Sequence, residues 1–425
     1  MQLYCCYTAA DEQIHESLMS RDLRLIIMGI LGRTPLAGVS WQVLHYLEGF
    51  RRLGYDIYYI EDTGGWAYNP LQTKEENESE YAYAINCQYA VSYVAKLMSS
   101  YGLQDRWAYR SRVDGQVFGL SETKVSHLFE KADALVNLTG STWLIEEHIR
   151  VPVRIYVETD PVIRQIEVIQ GARKAIELLA AHTHHFSYGE NLGASDCSVP
   201  LTRFSYQPTR QPVVIDWWTP DPRLSSDGNK RTNIPARFTT IAKWRQPGKD
   251  IVWNGQTYSW SKDIEFLKFI DLPLQTEQEF ELALLWEDEK DEEVTPRLTS
   301  HGWSVVDALS LSLDILPYRH YILGSRGEFT VAKDQNIRLR SGWFSDRSAC
   351  YLAAGKPVVT QDTAFGKTLP TGRGLFAFQN MEDILVAIDS IQRDYEGHCR
   401  AAREIAEEYF AAERVLGSLM DRVGM

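Results

Sequence analysis

The stretch from Ser341 to Gly366, SGWFSDRSACYLAAGKPVVTQDTAFG, constrains the fold more than any other part of the chain. Trp343, Phe344, Ala349, Leu352 and Ala353 fall mostly at three- and four-residue spacings until Gly355 stops them, which predicts a helix. Pro357 to Thr360 then reads as a buried parallel strand. Gln361, Asp362 and Thr363 fall at its carboxyl end, where open α/β sheets bind ligands. The plainest reading is one αβ unit of a doubly wound sheet. The helix N-terminus near Ser341 and Gly342 adds a second reading. Free N–H groups, the helix dipole and a glycine that admits close approach make an anion site suited to a nucleotide diphosphate.

Other segments follow the same pattern. Leu23 to Ile30 (LRLIIMGI) is an apolar run of strand length, followed by the loop LGRTPLAGVS and a helical pattern at Val43, Tyr46, Leu47, Phe50 and Leu53. Gly54 ends that helix and Tyr55 to Ile60 reads as the next strand, completing a βαβ unit. Further strands are predicted at Ala134 to Leu138, Val153 to Glu158 and His185 to Tyr188, with Pro161 in the first turn of a helix through Gln165, Ile166 and Ile169. The proline-rich run Gln207 to Asp221 (QPTRQPVVIDWWTPD) marks a linker. Beyond it the spacing predicts a strand at Phe238 to Ala242, a helix at Lys262 to Phe269, a strand at Phe280 to Leu285, a helix at Val305 to Leu311 and a strand at Tyr321 to Val331.

At 425 residues the chain exceeds one ordinary core, given roughly 150 residues per domain. The expected organisation is α/β, with two Rossmann-like βαβ domains at residues 1–210 and 223–400, a linker at 211–222 and a C-terminal helix at 401–425. With 44 Lys and Arg against 57 Asp and Glu, the net charge of −13 argues against a partner such as nucleic acid, so an anionic ligand must be met by local cations. The acidic run Glu287 to Glu293 reads as a solvated loop rather than a metal site. Six cysteines without CxxC spacing point to neither zinc nor a disulfide framework and suit a reducing cytoplasm. The N-terminus lacks the basic start and apolar core of a signal peptide, and no long apolar run follows, so no stable membrane insertion is expected.

Ala353 to Val359 (AAGKPVV) resembles the small-x-G-x-P-V turn that ends the donor-binding helix of GT-B glycosyltransferases, with Asp362 to Gly366 as the following donor loop. The resemblance covers most of the chain. It implies a GT-B fold with two Rossmann-like domains facing a cleft, a nucleotide-diphosphate sugar as co-substrate, no other cofactor, no metal, and a final helix within Ala401 to Met420 that crosses back to the first domain. Many retaining members carry two glutamates eight positions apart in this helix. Laying AAGKPVV on the family turn puts Gly342 and Cys350 there, so retention does not carry over.

Sugar transfer requires donors or cations for the leaving diphosphate, a base for the acceptor and a wall for the nucleobase. Lys243, Lys333, Ser341, Gly342 and Arg347 are candidates for the diphosphate, although each basic residue also reads as surface charge. Trp303 or Trp343 would stack on the nucleobase or else fill core. Phe344, Ser345 and Asp346 open the donor helix. Asp346 would accept from ribose hydroxyls or simply favour the helix dipole, and Asp362, Thr363, Phe365 and Gly366 form the donor loop. Asp160, in the sequence TDP, is the candidate base and equally a candidate N-cap. Glu158 points to the opposite side of its strand by the period of two, His185 reads as structural, and His45 lies on a helix face. Arg33, Thr34, Gly38, Gly140 and Ser141 are assigned to the acceptor side or to closing over the donor phosphates. The expected acceptor is a small molecule or peptide natural product, and the expected assembly a monomer or homodimer. Two alternatives keep the fold: a nucleotide-sugar epimerase, which needs no acceptor, and a non-catalytic nucleotide- or sugar-binding regulator.

Overall fold

The computed structural model describes residues 23–65, 67–77, 82–219, 236–286 and 293–425. Residues 287–292 of the acidic run, Cys5, Cys6 and the boundary expected at 222–223 lie outside that set.

Two sheets organise the chain. The first contains β1 (Arg24–Met28), β2 (Asp56–Thr63), β3 (Trp107–Ser111), β4 (Val117–Gly119), β5 (Ala134–Leu138), β6 (Val153–Glu158), β7 (His184–Ser187) and β8 (Gln207–Pro208), in the order β4-β3-β2-β1-β5-β6-β7-β8. All its pairings are parallel except β3 with β4. The second sheet contains β9 (Arg237–Lys243), β12 (Glu279–Leu285), β13 (Ser304–Asp307), β14 (Gly327–Thr330), β15 (Val358–Gln361) and β16 (Leu375–Phe378). It is wholly parallel, in the order β13-β12-β9-β14-β15-β16. A hairpin of β10 (Ile251–Trp253) and β11 (Gln256–Tyr258) projects after β9, turning at Asn254 and Gly255, both with positive φ. Strand residues Leu25 to Met28 are fully buried because helices cover both faces of a parallel sheet.

The domains share a core. One apolar cluster runs from Leu25, Trp41 and Tyr46 on the first sheet side through Trp218 and Trp343 to Tyr351 and Leu416. A separate cluster, with Phe238, Trp244, Phe280, Trp303 and Phe329, fills the far face of the second sheet. Helix α1 (Ala37–Arg52) lies at the domain boundary, where Trp41 Nε1 donates to the carbonyl of Ile315 on helix α2 (Ile315–Leu323). The last helix, α4 (Ala412–Asp421), packs on α1 so closely that a Cβ on Gly49 would lie 2.6 Å from Leu416 Cδ1. Arg52 joins the two helices through Glu413 and also binds Asp216.

Two sequence expectations are corrected. Val305 and Val306 lie in β13 rather than in a helix, because Asp307 caps the helix that follows, accepting from the N–H groups of Leu309 and Ser310. Tyr321 to Leu323 belong to α2, whose start Asp314 caps, and only Gly327–Thr330 form a strand. The segment at 207–219 is ordered: it contributes β8 to the first sheet and buries Trp218 completely.

Candidate active site

The carboxyl ends of β6 and β14 meet across the domain boundary. Three donors from the second domain reach three consecutive residues of the first: Trp343 Nε1 to Thr159 O at 2.9 Å, Lys333 Nζ to Asp160 Oδ1 at 2.6 Å, and Gln335 Nε2 to Pro161 O at 3.3 Å. Asp160 and Lys333, chosen from sequence for different roles, are therefore an ion pair. Lys333 is mostly buried, whereas the Asp160 side chain is 38% exposed at the opening. The Lys333 ammonium also lies 3.3 Å from the centroid of the Trp260 ring, and Lys249 approaches the same ring at 5.1 Å.

Beside this pair stands Lys262, the N-cap residue of the helix Asp263–Lys268. It is buried, its ammonium lies 5.8 Å from the Trp343 ring centroid, and that ammonium has no hydrogen-bond partner among the described residues. Burial, with Arg347 and Lys333 nearby, pulls its pKa well below the usual lysine range. Arg347 is anchored beneath: its guanidinium donates to Glu328 Oε1 at 2.5 Å, to Thr330 Oγ1 at 2.9 Å and to the carbonyl of Ile241. It acts on the cleft as a fixed charge rather than as a free hydrogen-bonding arm.

Asp346 opens helix α3 (Asp346–Ala353) and accepts from Gln42 Nε2 of α1 at 3.1 Å. Burial lifts its pKa to about 7, with Asp160 adding to the shift and Gln42 opposing it. Gly38, Trp41, Gln42, Tyr318, Asp346 and Cys350 line a narrow crevice between α1, α2 and α3. His45 also lines this crevice: its Nδ1 accepts from the Val214 N–H, its Nε2 lies 3.2 Å from Trp218 Nε1, and burial pulls its pKa down to about 3, so it remains neutral.

The cradle expected at Ser341 and Gly342 is not open. Ser341 N–H donates to Asn336 O, Gly342 N–H to Thr363 O, and Trp343 N–H to Ser341 Oγ, so no N–H there awaits a phosphate. Gly342, at φ 78°, abuts Asn191 of the first domain, and a Cβ would lie 2.7 Å from the Asn191 Cβ. No carboxylate side chain fits at Gly342. Cys350 is buried 3.9 Å from His45. Trp303 is no nucleobase wall: it donates to Ile270 O and packs against Phe280 and Phe329 in the far core. Trp343 is spent on the domain boundary.

In the donor loop Thr363 Oγ1 donates to Trp343 O, Phe365 packs on Phe344, and Asp362 accepts from the Ala364 N–H and Gln379. Gly366 is exposed, and Ser345 is the uncapping N-cap residue of α3. Lys243 ends β9 opposite Leu285. On the first sheet, the Gly32 and Arg33 N–H groups donate to buried Glu61, which fixes the loop holding Arg33 and Thr34. Gly140 turns at φ 57° against the Tyr156 ring, where a Cβ would collide, and Ser141 Oγ donates to Leu138 O. Arg33, Thr34, Gly140 and Ser141 thus lie at carboxyl ends of the first sheet, apart from the cation group. Gly38, by contrast, faces Tyr318 of the second domain.

Sequence reasoning missed Lys262, Trp260, Gln42 and Gln335. For Trp260 and Lys262 a signal existed: Asn254–Gly255 between two short apolar runs is a hairpin signature, and it places the following residues back at the cleft. Asp62, Glu147 and His148 form the one cluster of metal-type ligands among the described residues. Arg110 already fills it, with its Nη2 2.5 Å from Asp62 and 2.6 Å from Glu147.

Two Rossmann-like domains closing on a cleft, with a final helix returning to the first, constitute the GT-B fold, the architecture of glycosyltransferases. Anabaena HepE in complex with UDP and glucose is similar over 95% of this chain and 99% of its own, at 10% identity and a TM-score of 0.53. An alpha-glucosyltransferase in complex with UDP and DNA is similar over 95% of this chain and 100% of its own, at 11% identity and a TM-score of 0.55. Sucrose-phosphate synthase from Thermosynechococcus elongatus gives 94% and 99% coverage, 10% identity and a TM-score of 0.50. No protein-family model matches the chain, and no curated protein matches its sequence.

Proposed function

We propose that this protein transfers a sugar from a nucleotide-diphosphate sugar, with UDP-sugars the first donors to try, to an acceptor hydroxyl. Lys262 carries the reading. A buried ammonium beside two further cations and without a hydrogen-bond partner is costly unless an anion joins it, and a diphosphate matches the charge of Lys262 and Lys333 together. Solved structures of the same fold hold UDP or UDP-glucose.

In this reading the diphosphate enters beside Lys262 and takes Asp160's place on Lys333. Asp160, released, accepts the proton of the acceptor hydroxyl. The acceptor oxygen bonds to the anomeric carbon as that carbon's bond to the phosphate oxygen breaks. The electron pair leaves with the nucleoside diphosphate, whose charge Lys262 and Lys333 neutralise. Side-chain cations thus do the neutralising, which makes the transfer metal-independent, and a single displacement inverts the anomeric centre. The acceptor, a small molecule or peptide, approaches along the carboxyl edge of the first sheet past Arg33, Thr34, Gly140 and Ser141. A net charge of −13 disfavours nucleic acid in that role, although three similar structures, all of an alpha-glucosyltransferase, are bound to DNA.

A thermal-shift series with UDP, GDP, ADP, CDP and dTDP tests the reading. A ligand at 100 times its dissociation constant stabilises by about 2.7 kcal/mol. A rise with at least one diphosphate that is smaller in Lys262→Met is expected; no rise with any of them overturns the proposal.

A further inference from the structure

Val162 has φ 102° and ψ −58°, near the strained γ-turn region that a β-branched residue avoids. It is fully buried and stands two residues after Asp160. Such a conformation persists only where neighbouring groups over-determine it.

Those groups form a short buried chain. The Val162 N–H donates to Gln165 Oε1 at 2.7 Å, and Gln165 Nε2 donates to Glu158 Oε2 at 2.7 Å. The same Glu158 oxygen accepts from Ser187 Oγ at 2.7 Å, and Ser187 Oγ in turn accepts from the Gly189 N–H. Glu158 precedes the turn, Gln165 follows it, and they meet beneath it, so the turn is closed by its own flanks. Burial lifts the Glu158 pKa to about 7 while Ser187 and Gln165 oppose the shift. Keeping a carboxyl in such a place is unfavourable, and one of its two acceptor bonds leads through Gln165 to the strained residue two positions after Asp160. From the other side Trp343, Lys333 and Gln335 hold Thr159, Asp160 and Pro161. Were Val162 to relax to an ordinary conformation, the peptide planes after Asp160 would turn and carry the carboxylate off its line.

We infer that Glu158 and Gln165 are positioning residues that hold Val162 in its strained turn and thereby aim Asp160 into the cleft. This rests on reading Asp160 as the base. The experiment uses the full chain and measures UDP release from UDP-glucose together with UDP affinity. Gln165→Ala and Glu158→Leu are expected to lower kcat at least tenfold with the dissociation constant for UDP within twofold, and Glu158→Gln, which keeps an acceptor oxygen, to recover most of kcat. Glycine reaches φ 102° without help, so the Val162→Gly, Gln165→Ala double variant should turn over at least fivefold faster than Gln165→Ala alone. A general loss of folding would not show that rescue. Wild-type kcat in Gln165→Ala, or a double variant no faster than the single, overturns the positioning role while an inactive Asp160→Asn leaves the base reading standing. An active Asp160→Asn overturns the base reading and the positioning role with it.

Discussion

Gln42 Nε2 lies 3.1 Å from Asp346 Oδ1, so a neutral amide of one domain is the partner of a half-buried carboxyl of the other. Because burial lifts the Asp346 pKa from 3.8 to about 7, the folded protein holds a proton there that the unfolded chain has already released above pH 4. The stability this group contributes is full below about pH 4 and is lost as the pH rises through 7. Asp346→Asn, which keeps a hydrogen-bonding group and cannot ionise, should therefore gain on the wild type as pH rises. Unfolding midpoints at pH 5 and pH 8 check this: the difference between variant and wild type widens at pH 8, and an unchanged difference would refute the assignment.

Lys262→Met should separate stability from binding. Removing a buried cation without a partner is expected to raise the melting temperature of the free protein. The same change should weaken UDP by one charge-assisted hydrogen bond, about 1.5–3 kcal/mol or roughly ten- to 150-fold. Calorimetric titration with UDP and with uridine checks it, because uridine, lacking phosphates, should bind both proteins alike.

Gly342→Ala should strain the domain boundary. The residue sits at φ 78° with Asn191 against it, so the added methyl meets both a disfavoured backbone region and a neighbour in the other domain. A loss of about 1–3 kcal/mol in denaturant unfolding is expected. Gly366→Ala, exposed and with only Thr371 nearby, serves as the control that should change little.

Trp303→Ala should cost about 3–5 kcal/mol of stability, since the ring fills the far core among Phe280 and Phe329. Its UDP affinity, measured on the folded protein at low temperature, should match the wild type. A selective loss of UDP binding would return Trp303 to the nucleotide site.

The strands were legible wherever an apolar run had strand length and clear ends: Ala134–Leu138 and Val153–Glu158 fall where the spacing puts them. Val305 and Tyr321 misled because short apolar runs fit both periods, and of the caps that decide the matter Asp307 lies inside the first run whereas Asp314 lies well before the second. At the site, Asp160 and Lys333 were readable as residues at strand ends, but not as each other's partner, since they are far apart in sequence. Ser341 and Gly342 looked like a phosphate cradle because helix-terminus logic is local. The carbonyl of Thr363 and the loop at Asn191, which occupy them, are tertiary neighbours. For Lys262 the hairpin turn at Asn254 and Gly255 points to the cleft, but its burial depends on Arg347, Lys333 and Glu328, which are distant in sequence.

The chain passes between the domains twice, at Val213 and again at Ala411, and the two passages are bonded to each other: Val213 N–H to Phe410 O at 2.7 Å and Ala412 N–H to Val213 O at 2.9 Å. Two parallel crossings joined side by side resist twisting far more than bending. A separation of the domains that kept this pair of bonds intact would be a swing about it, with the Asp160–Lys333 contact at the jaws. Exchange of a bound nucleotide would then be timed by the bending of this paired crossing, a region that touches neither substrate.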